Sequence, residues 1–257
     1  MDFLIPVSLM LMIAFVASRM KILGGVGWIL FGVVWITKLP HYIEINDYFN
    51  SVVVILAFLL FLILGFTIAS DSGKNIETFI EITAFSALAG IVYYPFVIYP
   101  ELGDRLIAIT AELTVALGNL LNFEFGMYSS KIIMLNNHYV EIILACTGIE
   151  SMALFTGATL GIRAVLKKKL SAFLISVPVI YILNLFRNVF VTASYAYSWF
   201  GENSFYIAHH VLSKFLSTFA LILISLAVFR ILPELSELIF NLKDVMVERL
   251  KAITKRG

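Results

Sequence analysis

Between Tyr48 and Ala69 not one residue carries a charge. A hydrocarbon core about 30 Å thick takes a helix of about 20 apolar residues. In lipid every backbone N–H and C=O must find its partner within the structure, which leaves helices or closed barrels as spanning elements. Leu4 to Ala17, Ile22 to Thr37, Thr78 to Tyr99, Thr147 to Val165, Leu170 to Tyr195 and Ile207 to Ile231 repeat the pattern in continuous runs without strand-like alternation. Hydrophobic residues make up 61% of the 257, where a soluble domain is nearer half apolar. These runs predict an all-α polytopic membrane protein of about seven transmembrane helices. It reads as a single integral-membrane domain over 1–257, its catalytic part at about 128–232. The start Met1-Asp2-Phe3-Leu4 lacks the basic stretch of a cleaved signal peptide, so the first helix is expected to be retained.

Three segments do not read as spans. Glu101 to Leu121 sets Asp104, Arg105 and Glu112 among apolar residues at helical spacing, the pattern of an interfacial amphipathic helix. Tyr128 to Met134 and Tyr139 to Leu144 are β-prone and flank Asn136-Asn137, which predicts a small β-hairpin on the outer face. Pro233 opens an amphipathic tail. A net charge of +1 without a basic stripe gives no reason to expect nucleic acid as a partner. One cysteine excludes an intrachain disulfide or a cysteine-built metal cluster. No HExxH, GxSxG or Walker motif occurs, so zinc proteolysis, serine-hydrolase and P-loop chemistry lack support. No metal or organic cofactor is implied.

Cytoplasmic loops of membrane proteins carry an excess of Lys and Arg. With the N-terminus and the segment from Glu101 to Ala145 outside, the cytoplasmic side receives most of the basic residues: Arg19, Lys21, Lys74, Arg163, Lys167 to Lys169, Arg230, Lys243, Arg249, Lys251, Lys255 and Arg256. Lys38, Arg105 and Lys131 stay outside. At about 1.5 Å per residue, Cys146 lies roughly 31 Å from Lys167, Arg187 roughly 27 Å from Lys169, and His210 roughly 30 Å from Arg230. Three consecutive spans therefore bring Cys146, Arg187 and His209-His210 to one level, the outer face.

Each of these residues has an ordinary reading as well. A lone cysteine in so apolar a chain is more often a small packing residue than a nucleophile. An arginine near a span end often snorkels to the interface. Their pattern points to chemistry. Cys146 is expected at a helix N-terminus, where unpaired N–H groups favour a thiolate, with Glu150 on its face four residues on. Asn184, Arg187 and Asn188 share one helix face at i, i+3 and i+4, presenting a fixed guanidinium that could stabilise an oxyanion. His209 and His210 open the last span, and imidazole exchanges protons near neutral pH.

Ala145-Cys146-Thr147-Gly148-Ile149-Glu150, then Asn184-Leu185-Phe186-Arg187-Asn188, then His209-His210 together resemble the exosortase/archaeosortase family, over about Val140 to Leu232. The resemblance implies a membrane-embedded cysteine transpeptidase. Its substrates would be surface proteins such as S-layer glycoproteins, ending in a short Pro-Gly-Phe-like motif, a hydrophobic span and a basic tail. Cleavage would pass through an acyl-thioester on Cys146 and transfer the protein to a membrane lipid. Arg187 would be the essential basic residue. His209 or His210 would fill the third catalytic position, with Arg230 ranked below them. Two alternatives stay open: a transporter or structural membrane protein whose Arg187 and histidines line a polar path, and a purely hydrolytic cysteine peptidase.

Overall fold

The computed structural model describes residues 3–254, and the side chains of all of these except 250 and 252–254. Met1-Asp2 and the basic pair Lys255-Arg256 lie outside the described residues. In chain order the helices are α1 (Leu4–Ser18), α2 (Lys21–Ile36), α3 (Leu39–Glu44), α4 (Tyr48–Ser70), α5 (Ile76–Ile98) and α6 (Pro100–Leu120). Strands β1 (Gly126–Met127), β2 (Ile132–Leu135) and β3 (His138–Glu141) follow, then a 3-10 turn, Leu144–Thr147. Next come α7 (Ile149–Leu160), α8 (Leu166–Ala196), the single turn α9 (Ser204–Tyr206), a π-helical segment Ile207–Leu212, α10 (Ser213–Ile231) and α11 (Pro233–Thr254).

Among the described residues, five helical stretches are long and apolar enough to cross a membrane: Lys21–Glu44, Tyr48–Ser70, Ile76–Ile98, Leu166–Ala196 and Gly201–Ile231. About seven were expected, and the difference has a physical cause. The first and fifth expected spans exist as the apolar helices α1 and α7, but these hold 15 and 12 residues. At 1.5 Å per residue they extend about 22 and 18 Å, short of a hydrocarbon core about 30 Å thick. α7 stops at Leu160 rather than Val165, where Gly157, Gly161 and the β-branched Thr156 and Thr159 lower helix propensity.

The chain divides into two compact units. The first comprises Met1–Ile91, Leu160–Ala164 and Pro233–Gly257. Its helices α2 and α4 cross where Gly25 faces Gly65. A Cβ on Gly25 would lie 2.9 Å from the Gly65 carbonyl oxygen, and a Cβ on Gly65 2.7 Å from that of Gly25, so only glycine allows this close approach. Trp28 donates from Nε1 to the Thr83 hydroxyl at 2.9 Å, which satisfies both groups away from water. At one end, Glu77 pairs with Arg19 at 2.8 Å and with Arg163, Lys21 donates to the Asp71 carbonyl, and Arg249 donates to Ser70. Four residues that the charge pattern assigns to one membrane face thus meet in one cluster.

The second unit comprises Val92–Thr159 and Val165–Leu232. The sheet has three antiparallel strands in the order β1-β2-β3. β2 and β3 are joined at Asn136-Asn137, both with positive φ (47° and 58°), as a tight two-residue hairpin turn requires. The expected strand bounds were too long at both outer ends, and β1 was not foreseen. Ile133, Leu135 and Ile142 are buried with Ile107 and Ala111 of α6 and Val189, Ala193 and Ala196 of α8. Asn136 donates to the Ala196 carbonyl at 3.0 Å, and Lys131 pairs with Asp104 at 2.6 Å. The sheet is therefore fastened to α6 and to the end of α8. α6 buries a stripe of small and β-branched residues, Gly103, Ile107, Thr110, Ala111, Thr114 and Gly118, while its larger apolar residues Leu102, Ile109, Leu113 and Leu120 are exposed.

Candidate active site

Cys146 lies in the 3-10 turn Leu144–Thr147, packed between α6 and α8 and half-buried against the cluster that carries Ile142 and Val189. The sequence suggests a helix N-terminus at this point; α7 in fact begins three residues later, at Ile149. Gly148 stands between them at φ +75°, a left-handed conformation that only glycine adopts freely. Thr147 closes the junction. Its hydroxyl donates to the Leu144 carbonyl at 2.7 Å and accepts from the Ile149 N–H at 3.3 Å. A turn placed this way cannot use its last carbonyls in an α-helical ladder.

α8 supplies the missing partners. The carbonyl oxygen of Cys146 accepts from Asn184 Nδ2 at 2.6 Å and from Asn188 Nδ2 at 3.0 Å. The two amides sit one helical turn apart, so one carbonyl can reach both. Asn184 also packs against Gly148, where an added Cβ would lie 3.2 Å from Asn184 Cγ. Arg187 belongs to the same face of α8, between the two asparagines in sequence. Its guanidinium has no hydrogen bond or ion pair among the described residues. The face seen in the sequence thus holds the main chain of the only cysteine.

The histidines occupy the π-helical segment. His209 stacks on Phe205, with centroids 5.2 Å apart and planes 6° apart, and contacts His210 edge-on at 4.6 Å. Its Nδ1 is buried without a hydrogen-bond partner, and the ring lies within electrostatic reach of Arg187 and Lys214. His210 is more exposed and lies against Tyr206. Arg187 and His209 are therefore brought into one neighbourhood. Glu150 accepts from the Tyr93 hydroxyl at 3.3 Å. Arg230 is in the last turn of α10, the 17 residues from Ser213 to Arg230 corresponding to about 26 Å of helix.

A groove of about 290 Å³ opens beside Arg187, lined by α8, α10 and the start of α7. Ser151, Asn184, Arg187, Ser213 and Ser217 are the polar residues of its lining. In the sequence Ser213 is visible only as the residue one helical turn after His209, with no sign that it would line a groove. It is 1% exposed and its hydroxyl has no partner among the described residues.

Comparison with known proteins places this arrangement in context. Archaeosortase A of Haloferax volcanii is 27% identical over 255 residues, covering 85% of this chain and 82% of that protein. Archaeosortase A of Natronomonas pharaonis is 22% identical over 250 residues, covering 85% and 78%. No solved structure matches. The family model described as Transmembrane exosortase (Exosortase_EpsH) matches residues 3–230, which takes in every residue of the arrangement around Cys146, and the chain belongs to that family.

Proposed function

We propose that this protein is a multi-pass membrane cysteine transpeptidase that processes the C-terminal sorting signals of surface proteins and transfers them to a membrane lipid. The observation that carries the reading is the pair of amide hydrogen bonds from Asn184 and Asn188 to the Cys146 carbonyl. They fix the main chain of a half-buried thiol against the helix that carries an unpaired guanidinium. Family membership supports the reaction class, and the signal type, a Pro-Gly-Phe-like motif followed by a span and a basic tail, is what the resemblance carried by Cys146, Arg187 and the histidines implies.

In this reading the Cys146 thiolate attacks the carbonyl carbon of the signal's scissile peptide bond, forming the C–S bond. The Arg187 guanidinium, with its fixed fork of donors, takes up the charge on the tetrahedral oxygen. The intermediate collapses with cleavage of the C–N bond, and a histidine gives the departing amine its proton. The same histidine then removes a proton from the acceptor lipid's nucleophile. Attack on the thioester forms the new acyl bond and releases the thiolate. We favour His209 of the pair, because its ring is stacked on Phe205 and its Nδ1 is buried with no partner among the described residues. Arg230, at the far end of α10, has no part in these steps.

The site is assigned to the extracellular face. α8 begins at Leu166, carries Lys167 to Lys169 in its first turn and runs unbroken through Pro178 to Arg187. The 18 residues from Lys169 to Arg187 correspond to about 27 Å, close to one hydrocarbon thickness. Basic residues prefer the cytoplasmic side, and this supports an outside position for Arg187.

The reading is tested with Cys146→Ser, assayed on a substrate bearing the tripartite signal. Cleavage is expected to fall below detection, and the wild type should accumulate a hydroxylamine-sensitive conjugate with a slow acceptor. Processing by the serine variant at near the wild-type rate would remove the mechanism. Mass spectrometry of the product's new C-terminus separates lipid transfer from hydrolysis.

A further inference from the structure

We propose that the groove between α8 and α10 seats a single membrane lipid, its phosphate held by Arg187 and Ser213 and one hydrocarbon chain lying along Ile180, Ala220, Leu221 and Ile224. Three observations carry this. The first is an unfilled polar demand. Several serines and threonines in these helices donate to the carbonyl four residues back, as Ser176 does to Ala172 at 2.7 Å, Thr192 to Asn188 at 2.9 Å and Thr218 to Lys214 at 2.8 Å; Ser194 of α8 and Ser213 of α10 are buried with no partner among the described residues, and of the two only Ser213 lines the groove. Ser213 follows directly on the π-helical segment Ile207–Leu212, where the backbone register has slipped. Its hydroxyl lines the groove at 1% exposure with no partner among the described residues. A buried donor left unmade is costly, more so in a site of low dielectric.

The second observation is charge. Arg187 lines the same groove without an anionic partner among the described residues. A guanidinium offers several donors in one plane and matches a phosphate in a forked geometry, and Ser213 adds a further donor. An anionic oxygen cluster answers both residues at once.

The third is size and surroundings. Asn184, Arg187, Ser213 and Ser217 lie toward the Arg187 end of α8, among Phe186, Phe190 and Leu216, and Ile180, Ala220, Leu221 and Ile224 line the other end. The ten residues from Ile180 to Phe190 correspond to about 15 Å, half of a hydrocarbon core of about 30 Å. That is the depth of one leaflet. Leu183, Phe186 and Leu216 on the rim are exposed, so the groove opens toward lipid and is filled from the bilayer.

That the seated lipid is also the acceptor rests on the transpeptidase reading; the seat itself does not. The test uses the full-length protein in nanodiscs with a trace of phosphatidylglycerol bearing a diazirine in one acyl chain, set against diacylglycerol with the same chain. Photolysis and peptide mapping are expected to place the adducts on 180–190 and 213–224. Phosphatidylglycerol should label these segments about tenfold or more above diacylglycerol, the scale of one charge-assisted hydrogen bond. Arg187→Ala should bring the two lipids within about twofold, and Ser213→Ala should remove part of the preference. Ala220→Phe, which fills the apolar end, should remove the adducts from both segments. Equal labelling by the two lipids, or adducts spread over the lipid-facing helices, overturns the proposal. If Ala220→Phe does not insert, the wild-type map and Ser213→Ala decide alone. Cys146→Ser should label as the wild type does, so loss of the chemistry and loss of the seat are read separately.

Discussion

Asn184 and Asn188 both donate to one oxygen, and removing either amide leaves the Cys146 turn with half of its attachment to α8. A displacement of about 1 Å at a reacting centre costs about 10²-fold in rate. Asn184→Ala and Asn188→Ala are therefore each expected to lower kcat about 10–100-fold and to leave KM within about twofold, measured by single-turnover processing of a signal peptide in detergent. Asn188→Asp keeps the shape but sets an acceptor against an acceptor, and should cost at least as much as alanine. A rise in KM at constant kcat would mean that the amides bind substrate instead of holding the nucleophile. Gly148→Ala addresses the same turn from its other side. The left-handed φ costs a non-glycine residue about 1–2 kcal/mol, and the new Cβ presses on Asn184, so a lower melting temperature should accompany the loss of rate. The asparagine face was legible in the sequence because α8 is a regular helix and spacing alone defines its faces. Its partner was not, since a hydrogen bond to a carbonyl about 40 residues away leaves no periodic trace.

Among the elements, the π-helical segment Ile207–Leu212 has the largest consequence for the site. One extra residue per turn rotates everything before it against α10, and it places His209 beside Phe205 with its Nδ1 buried. Deleting Val211 should return the segment to α-helical register and turn both histidines by about 100° about the axis. Processing is expected to fall below about 1% of wild type while membrane insertion, read by protease protection, stays intact. His209→Ala should lose activity to a similar degree, and His210→Ala much less. Retention of activity in the deletion would mean that the imidazoles act without fixed orientation. The sequence placed a histidine pair at the start of the last span but carried no mark of the register change, because π-turns lack a residue signature. Hydropathy likewise outlined α4, α5, α8 and α10 well and overran α7, where an apolar run from Thr147 continued past the helix into Gly161 and its neighbours. Apolarity reports the environment of a segment. Only propensity and packing report where its hydrogen-bond ladder stops.

At the scale of the molecule, the distribution of basic residues gives the strongest statement available from the sequence, and the cluster of Arg19, Lys21, Arg163 and Arg249 around Glu77, Asp71 and Ser70 follows its grouping. Which way that grouping faces is open to a direct measurement, since Cys146 is the only thiol in the chain. A membrane-impermeant maleimide added to intact cells should label wild-type protein, and Cys146→Ser should remove the label entirely. Lys168→Cys in the Cys146→Ser background moves the thiol to the opposite end of α8, about 28 Å along the helix from Arg187. It should label only after permeabilisation. The reverse pattern, with Cys146 protected in intact cells and position 168 labelled, would turn the protein over. It would place the site in the cytoplasm, where a secreted protein's C-terminal signal does not present its motif. The transpeptidase reading would then fail as a whole, however well the geometry around Cys146 serves a nucleophile.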